Sequence, residues 1–236
     1  MAIWPAQRAI FYAWACTSSA CRLVIWLSFT GDVKMRPHQR HLVVIAKAPR
    51  IGRVKSRLAR DIGVVGAWLF YRRTLARTLC VLGGEARWST WLAVAPETAV
   101  FDDGVWPKPG IRRIRQGDGD LGQRMARIMA SLPPGPVIIV GADIPELSRD
   151  AIWQAFRGLG RADAVFGPAT DGGYWLVGLK RRPALPKIFD GVRWSTADAF
   201  ADTKANLPPG RQAVEVETLN DIDDGADFAA WRCRSH

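Results

Sequence analysis

The sequence predicts an α/β domain with a mainly parallel sheet and helices on both faces. From His41 onward, short apolar runs alternate with segments of helical periodicity, and no repeat, low-complexity tract or long linker divides the segment. Strands separated by helices cross over to lie parallel, and the intervening helices cover both faces of the sheet.

"HLVVIA", His41 to Ala46, opens the domain as a buried strand. Trp68, Leu75, Leu79 and Leu82, spaced by seven, four and three residues, predict a helix over Val64 to Leu82. "TWLAVA" is a second strand, and "IRRIR" is a short polar one, too charged for the middle of a parallel sheet. Leu121, Met125, Ile128, Met129 and Leu132 mark the core face of a helix, and "PVIIV" is a buried strand. Ser148 supplies an N-cap hydroxyl for a helix burying Ile152, Phe156 and Leu159. "DAVFG" and "YWLVGL" follow as strands, and a last helix covers Asp224 to Arg232. Most Met and Trp residues on these helices are core and need no cofactor.

The 236 residues, 48% of them hydrophobic, suffice for a full core, and a formal charge of +11 calls for an anionic partner. Cys16, Cys21, Cys80 and Cys233 form no C-x-x-C pair and lack neighbouring histidines, so they read as reduced structural thiols of a cytoplasmic protein. The three histidines, His38, His41 and His236, lie near the start of the first strand or at the C-terminus, which disfavours a Ser-His-Asp hydrolase. Residues 1–40 form an N-terminal extension, read as spurious or disordered, with Met35 as an alternative start. Arg22 and the Thr17-Ser18-Ser19 interruption argue against a spanning helix, leaving membrane contact through residues 1–34 as the lesser alternative. Residues 41–236 are assigned to one domain.

In open α/β sheets ligands bind beyond the carboxyl ends of the strands. "AKAPRIGRVKSRL", after the first strand, concentrates Lys47, Arg50, Arg53, Lys55 and Arg57, and Pro49 and Gly52 keep it out of helix. Fixed cations there suit phosphate oxygens, the alternative being a solvated basic face. "QGDGDLGQRM" formally matches G-x-G-x-x-G through Gly117, Gly119 and Gly122, but Asp118 and Asp120 would oppose a pyrophosphate. A loop lying over a nucleobase fits it better. Asp143, ending "PVIIVGAD", is either a hard ligand for Mg²⁺ or a turn residue. Asp171, Gly172 and Gly173 form either a plain hairpin corner or a substrate-facing turn. Asp221, Asp223, Asp224 and Asp227 are either a helix N-terminal cap or a second set of metal ligands.

In order, "IAKAPRIGRVKSRLARDIG", "QGDGDLGQRM", "VGADIPEL", "FGPATDGGYWLVGL", "IFDGVRWST" and "DIDDGADF" resemble the selenodomain-associated transferases, relatives of the nucleotidyltransferases that activate phospholactate or molybdopterin. The resemblance spans His41 to Trp231 and implies the Rossmann-like, three-layer α/β/α type-A glycosyltransferase (nucleotide-diphospho-sugar transferase) fold. It implies that Lys47, Arg53, Lys55 and Arg57 cradle the nucleotide phosphates, and that Gln116, Gly117 and Gly122 hold the base. It also implies that Asp143 and Asp223 bind Mg²⁺ or Mn²⁺, and that Asp171, Gly172 and Gly173 line the acceptor pocket. The usual K-T-R-L reads K-S-R-L through Ser56, which keeps the hydroxyl.

The expected chemistry is a Mg²⁺-dependent transfer from a nucleoside triphosphate or nucleotide sugar to a small acceptor, with Lys55, Asp143 and Asp171 as catalytic residues. Negative charge grows on a diphosphate leaving group, which cations stabilise. A phosphate or carboxylate acceptor needs no base, which leans slightly toward nucleotidyl transfer; a hydroxyl acceptor makes Asp171 the base. The rival is a nucleic-acid-binding or nucleotide-sensing protein without turnover, and no nucleic acid is expected because the aromatics are not interleaved with the cations.

Overall fold

The structure, a computed structural model, describes residues 39–182 and 184–234. The N-terminal extension and its membrane alternative lie almost wholly outside these residues. Among the described residues no helix is long and apolar enough to cross a membrane.

Seven strands, β1 (His41–Lys47), β2 (Ser89–Ala95), β3 (Arg112–Arg115), β4 (Val137–Gly141), β5 (Ala164–Pro168), β6 (Tyr174–Leu179) and β7 (Ala213–Glu215), form one sheet in the order β3-β2-β1-β4-β6-β5-β7. The pairings β1·β2, β1·β4, β2·β3 and β5·β7 are parallel, and β6 alone runs against its neighbours β4 and β5. The charged β3 sits at an edge, as its composition requires.

Alternate residues of the central strands feed two cores. Leu42 and Val44 of β1 and Ile138 and Val140 of β4 pack with Leu75, Leu79 and Leu82 of α2 (Val64–Leu82) and Ile152, Phe156 and Leu159 of α4 (Arg149–Arg161). Val43, Val137 and Ile139 face Met125, Ile128 and Met129 of α3 (Leu121–Ser131) on the other side. The three layers follow from this two-sided burial. The cap read from sequence forms, the Ser148 side chain accepting from Ala151 N–H; a second, not read from sequence, closes α3 as a capping box of Asp120 with Gln123.

Three short elements carry too little periodicity to be read from sequence: α1 (Leu58–Ile62), α5 (Ala199–Ala205) and β7. The last helix, α6 (Gly225–Arg234), packs Phe228 and Trp231 with Leu58, Ala67, Phe70 and Ile222 in a third cluster. Leu121 corrects the expected face of α3: at the first position of that helix it is 37% exposed and lines the cleft described next.

Candidate active site

After β1 the chain turns to one side through β2 and β3, then returns across β1 to β4. This reversal opens a crevice beyond the carboxyl ends of β1 and β4, the place such sheets keep for ligands. Because β6 is reversed, the β5–β6 turn opens at the same edge. The loops after β1, β4, β5 and β7 therefore converge there.

Lys55 stands at their meeting point. Its backbone is left-handed, φ 48°, which a residue with a side chain adopts only when held, and buried Val54 and Leu58 anchor the chain on either side. Its side chain is 7% exposed, with Nζ at 2.6 Å from Asp143, 2.7 Å from Asp223 and 3.9 Å from Asp221. One oxygen from each of Asp143, Asp221 and Asp223 lies within 4.8 Å of the others. Burial opposes the charged ammonium, but Asp143 and Asp223 outweigh it and hold the Lys55 pKa above the ordinary lysine value. Asp221 is pushed up to about 7, first by burial and then by the Asp143 carboxylate. Burial acts the same way on Asp223, but Lys55 and Arg57 hold its carboxyl below the usual range. The acidic run after β7 thus divides between two roles. Asp221 and Asp223 join Asp143, while Asp224 and Asp227 accept from backbone N–H groups at the start of α6.

Two clefts meet at this cluster. The first, about 530 Å³, is lined by Ala46 and Lys47 of β1, by Lys55, Ser56 and Arg57, and by Gln116 and Arg124. The second, about 520 Å³, is lined by Asp171, Gly173, Tyr174, Trp175, Trp194 and Ser195, with Asp221. Arg57, Leu121, Gly141, Asp143, Ser195 and Asp223 border both.

The basic stretch is divided in its use. Lys47, Lys55 and Arg57 reach the first cleft, whereas Arg53 lines a separate depression and Arg50 is paired with Asp102 at 3.2 Å. Tyr71 fixes the end of β1, its hydroxyl donating to Lys47 O and accepting from Lys47 N–H, both at 3.0 Å.

The G-x-G-x-x-G segment departs from the expected base contact. Gln116 is 2% exposed, its amide N–H₂ donates to Ala46 O and Ala93 O, and its Oε1 accepts from Arg124. These bonds tie the ends of β1 and β2 together and leave the amide committed to the protein. Gly122 lies against Trp194 and Phe189, and a Cβ on Gly117 would strike Arg127, whose guanidinium donates to Gln116 O and Asp118 O. Both glycines serve packing.

Asp171 Oδ1 accepts from Gly173 N–H at 2.9 Å, so the D-G-G turn is a hairpin corner that also borders the second cleft. Gly172, at φ 83°, approaches Ala197 so closely that a Cβ would lie 2.1 Å from its carbonyl oxygen. That contact locks the turn onto the loop carrying Trp194 and Ser195. Arg124, Trp194 and Ser195 were not singled out in sequence, and Asp221 was named only within the acidic run; the "GVRWST" segment was the available signal for Trp194 and Ser195.

A sheet of this order, with a cation-rich crevice beside a carboxylate cluster at its switch point, is the nucleotide-diphospho-sugar transferase and nucleotidyltransferase fold. The chain belongs to the family described as "Uncharacterized protein conserved in bacteria (DUF2064)", whose pattern matches residues 78–196. No curated protein matches it significantly. It is similar to a protein from Desulfovibrio desulfuricans G20 provisionally named a nucleotide-diphospho-sugar transferase, at 27% identity and TM-score 0.75, covering 82% of this chain and 86% of that one. It shares its fold with 4-diphosphocytidyl-2C-methyl-D-erythritol synthase from Anaerococcus prevotii DSM 20548, at 9% identity and TM-score 0.57, over 84% and 98% of the chains. It also shares it with CMP:2-keto-3-deoxy-manno-octonic acid synthetase complexed with CTP, at 16% identity and TM-score 0.52, over 84% and 98%.

Proposed function

We propose that residues 41–236 form one divalent-cation-dependent transferase domain, of the selenodomain-associated kind its motif order resembles. It holds a nucleotide donor in the cationic cleft and passes a group to a small acceptor in the second. The observation that carries this reading is the meeting of the two clefts at Asp143 and Asp223. A donor bound along Lys47, Lys55 and Arg57 has its reactive centre at the acceptor's door.

The carboxylate trio suits a hard cation, since three oxygens within 4.8 Å already surround a positive group, the Lys55 ammonium. Asp143, Asp221 and Asp223 would hold Mg²⁺ or Mn²⁺, which supplies positive charge against the negative charge growing on a departing diphosphate. Lys55 and Arg57 stabilise the same charge from the donor side. Asp171 lies close enough to raise the Asp221 pKa, and its second carboxylate oxygen is left to take a hydroxyl proton.

Between the two transfers, glycosyl transfer is favoured by the name borne by the 27%-identical Desulfovibrio protein and by a basic group facing the acceptor. The acceptor oxygen bonds to the anomeric carbon as the bond from that carbon to the diphosphate oxygen breaks. The diphosphate leaves with the electron pair, and the acceptor's proton passes to Asp171.

Thermal unfolding against nucleotide sugars and nucleoside triphosphates, with and without Mg²⁺, tests the donor assignment. A donor at about a hundred times its Kd stabilises by about 2.7 kcal/mol, and the Asp143→Ala variant loses the Mg²⁺-dependent part. Failure of every nucleotide to shift the transition, together with tight, steeply salt-dependent binding to polynucleotides, overturns the reading.

A further inference from the structure

Building on the transferase reading above, we propose that the acceptor is a neutral, hydroxyl-bearing ring of the sugar or cyclitol class, and that phosphorylated or carboxylated acceptors are rejected. The two clefts differ in sign. The donor cleft presents Lys47, Lys55, Arg57 and Arg124 against Asp143 and Asp223. The acceptor cleft presents Asp143, Asp171, Asp221 and Asp223 against Arg57 alone.

Arg57 sits at the shared border, 71% exposed and 3.6 Å from Asp223, so its charge already has a partner. Arg193, the cation next to Trp194 in the chain, is held by Asp198 at 2.7 Å and Asp202 at 2.8 Å. A dication on the trio, together with Lys55, offsets its three negative charges and leaves Asp171 untouched. Among the described residues Asp171 makes no ion pair, and its one hydrogen bond comes from Gly173 N–H. An ionised carboxylate only accepts hydrogen bonds. It therefore receives a hydroxyl and repels a phosphate or carboxylate, a discrimination built from repulsion as much as attraction.

The remaining lining suits a ring with one apolar and one polar face. Trp175, which also borders the cleft, is buried and has its indole N–H spent on Glu217 O at 3.0 Å. Tyr174 meets Trp194 edge to face at 6.4 Å, and the two form an aromatic wall. Such a wall packs against ring C–H groups without demanding charge. Opposite in character is Ser195, on the border of both clefts, held at φ 62°. Among the described residues its hydroxyl makes no protein hydrogen bond, while the neighbouring Thr196 hydroxyl donates to Arg193 O at 2.8 Å. A serine in a left-handed backbone, with a free hydroxyl between donor and acceptor, suits the orientation of an acceptor hydroxyl.

The test uses matched acceptors: glucose with glucose 6-phosphate and glucuronate, myo-inositol with its monophosphate, and glycerol with glycerol 3-phosphate. Each is offered to the full chain with the donor that gives a Mg²⁺-dependent thermal shift, and kcat/KM is read from released diphosphate. We expect a neutral ring to be accepted, with a preference of about tenfold or more over its charged partner. Asp171→Asn keeps the oxygen that closes the turn but removes both the charge and the base, so turnover falls; the preference is then read from acceptor binding to the donor-loaded variant, where it should narrow several-fold while donor affinity is unchanged. Equal or better use of a charged partner overturns the proposal, as does a protein that binds donor and accepts no neutral member. A protein that binds no donor sinks the transferase reading and this proposal with it.

Discussion

Replacing Lys55 by Met removes the cation from the middle of three carboxylates while preserving the length of the side chain. Breaking a buried ion pair by deleting one partner costs about 3–5 kcal/mol, because the other charge is left uncompensated. Here the lysine is 7% exposed but Asp143, Asp221 and Asp223 are 26%, 38% and 47% exposed, so water takes over part of their solvation. The cost falls to about 2–3 kcal/mol. For a domain of this size that lowers Tm by about 5–10 °C. The assay is thermal unfolding in chelator and again in millimolar Mn²⁺. Because the ammonium occupies the oxygens a dication would use, Mn²⁺ should stabilise Lys55→Met more than the parent, and direct titration should show tighter Mn²⁺ binding to the variant. A variant that unfolds with the parent in chelator, or gains no more from Mn²⁺, refutes the view that Lys55 is the resident counter-ion of the trio.

Asp221 provides a pH signature. Its folded pKa of about 7 exceeds the ordinary 3.8, so the folded chain keeps a proton that the unfolded chain releases. Stability from this group is therefore full below about pH 4 and is lost as pH rises toward about 7. Three pK units correspond to about 4 kcal/mol, which 38% exposure reduces to about 1–2 kcal/mol. Asp221→Asn in chelator should gain that much at pH 8 and flatten the pH profile; an unchanged slope on denaturant titration rules the assignment out. Arg181, after β6, donates from its guanidinium to the carbonyls of Met129, Leu132, Pro133 and Gly135, closing the C-terminal end of α3. Arg181→Met should cost about 2–3 kcal/mol by orphaning those carbonyls, and donor affinity should hold because the residue sits at the sheet edge opposite the clefts. A denaturant midpoint equal to the parent's would contradict this.

The legible parts of the fold were those with strong local signals. "HLVVIA" and "PVIIV" are buried on both faces, and an apolar run with no polar face has few other places to go. Ser148 announced its helix by chemistry that acts within three residues. β7 was not legible because three residues cannot display a period, and Gln116 misled because a glutamine after a strand looks alike whether its amide faces a ligand or two carbonyls. In the candidate site, the basic stretch pointed to the crevice at the switch point but not to which cations enter it, since Arg53 and Lys55 differ by two residues and a reversal of φ. Asp221 could not be told from Asp224 by sequence alone, because their separation depends on where α6 begins.

The contact between Gly172 and Ala197 makes two short loops a single transplantable cassette. The cleft proposed for the donor grows from strand–helix crossovers rooted in both cores, whereas the one proposed for the acceptor hangs on a hairpin tip and the loop pressed against it. Exchanging residues 169–173 together with 194–197 between relatives should carry acceptor choice across intact. A side chain introduced at Gly172 would set its Cβ against the Ala197 carbonyl, which has no room for one.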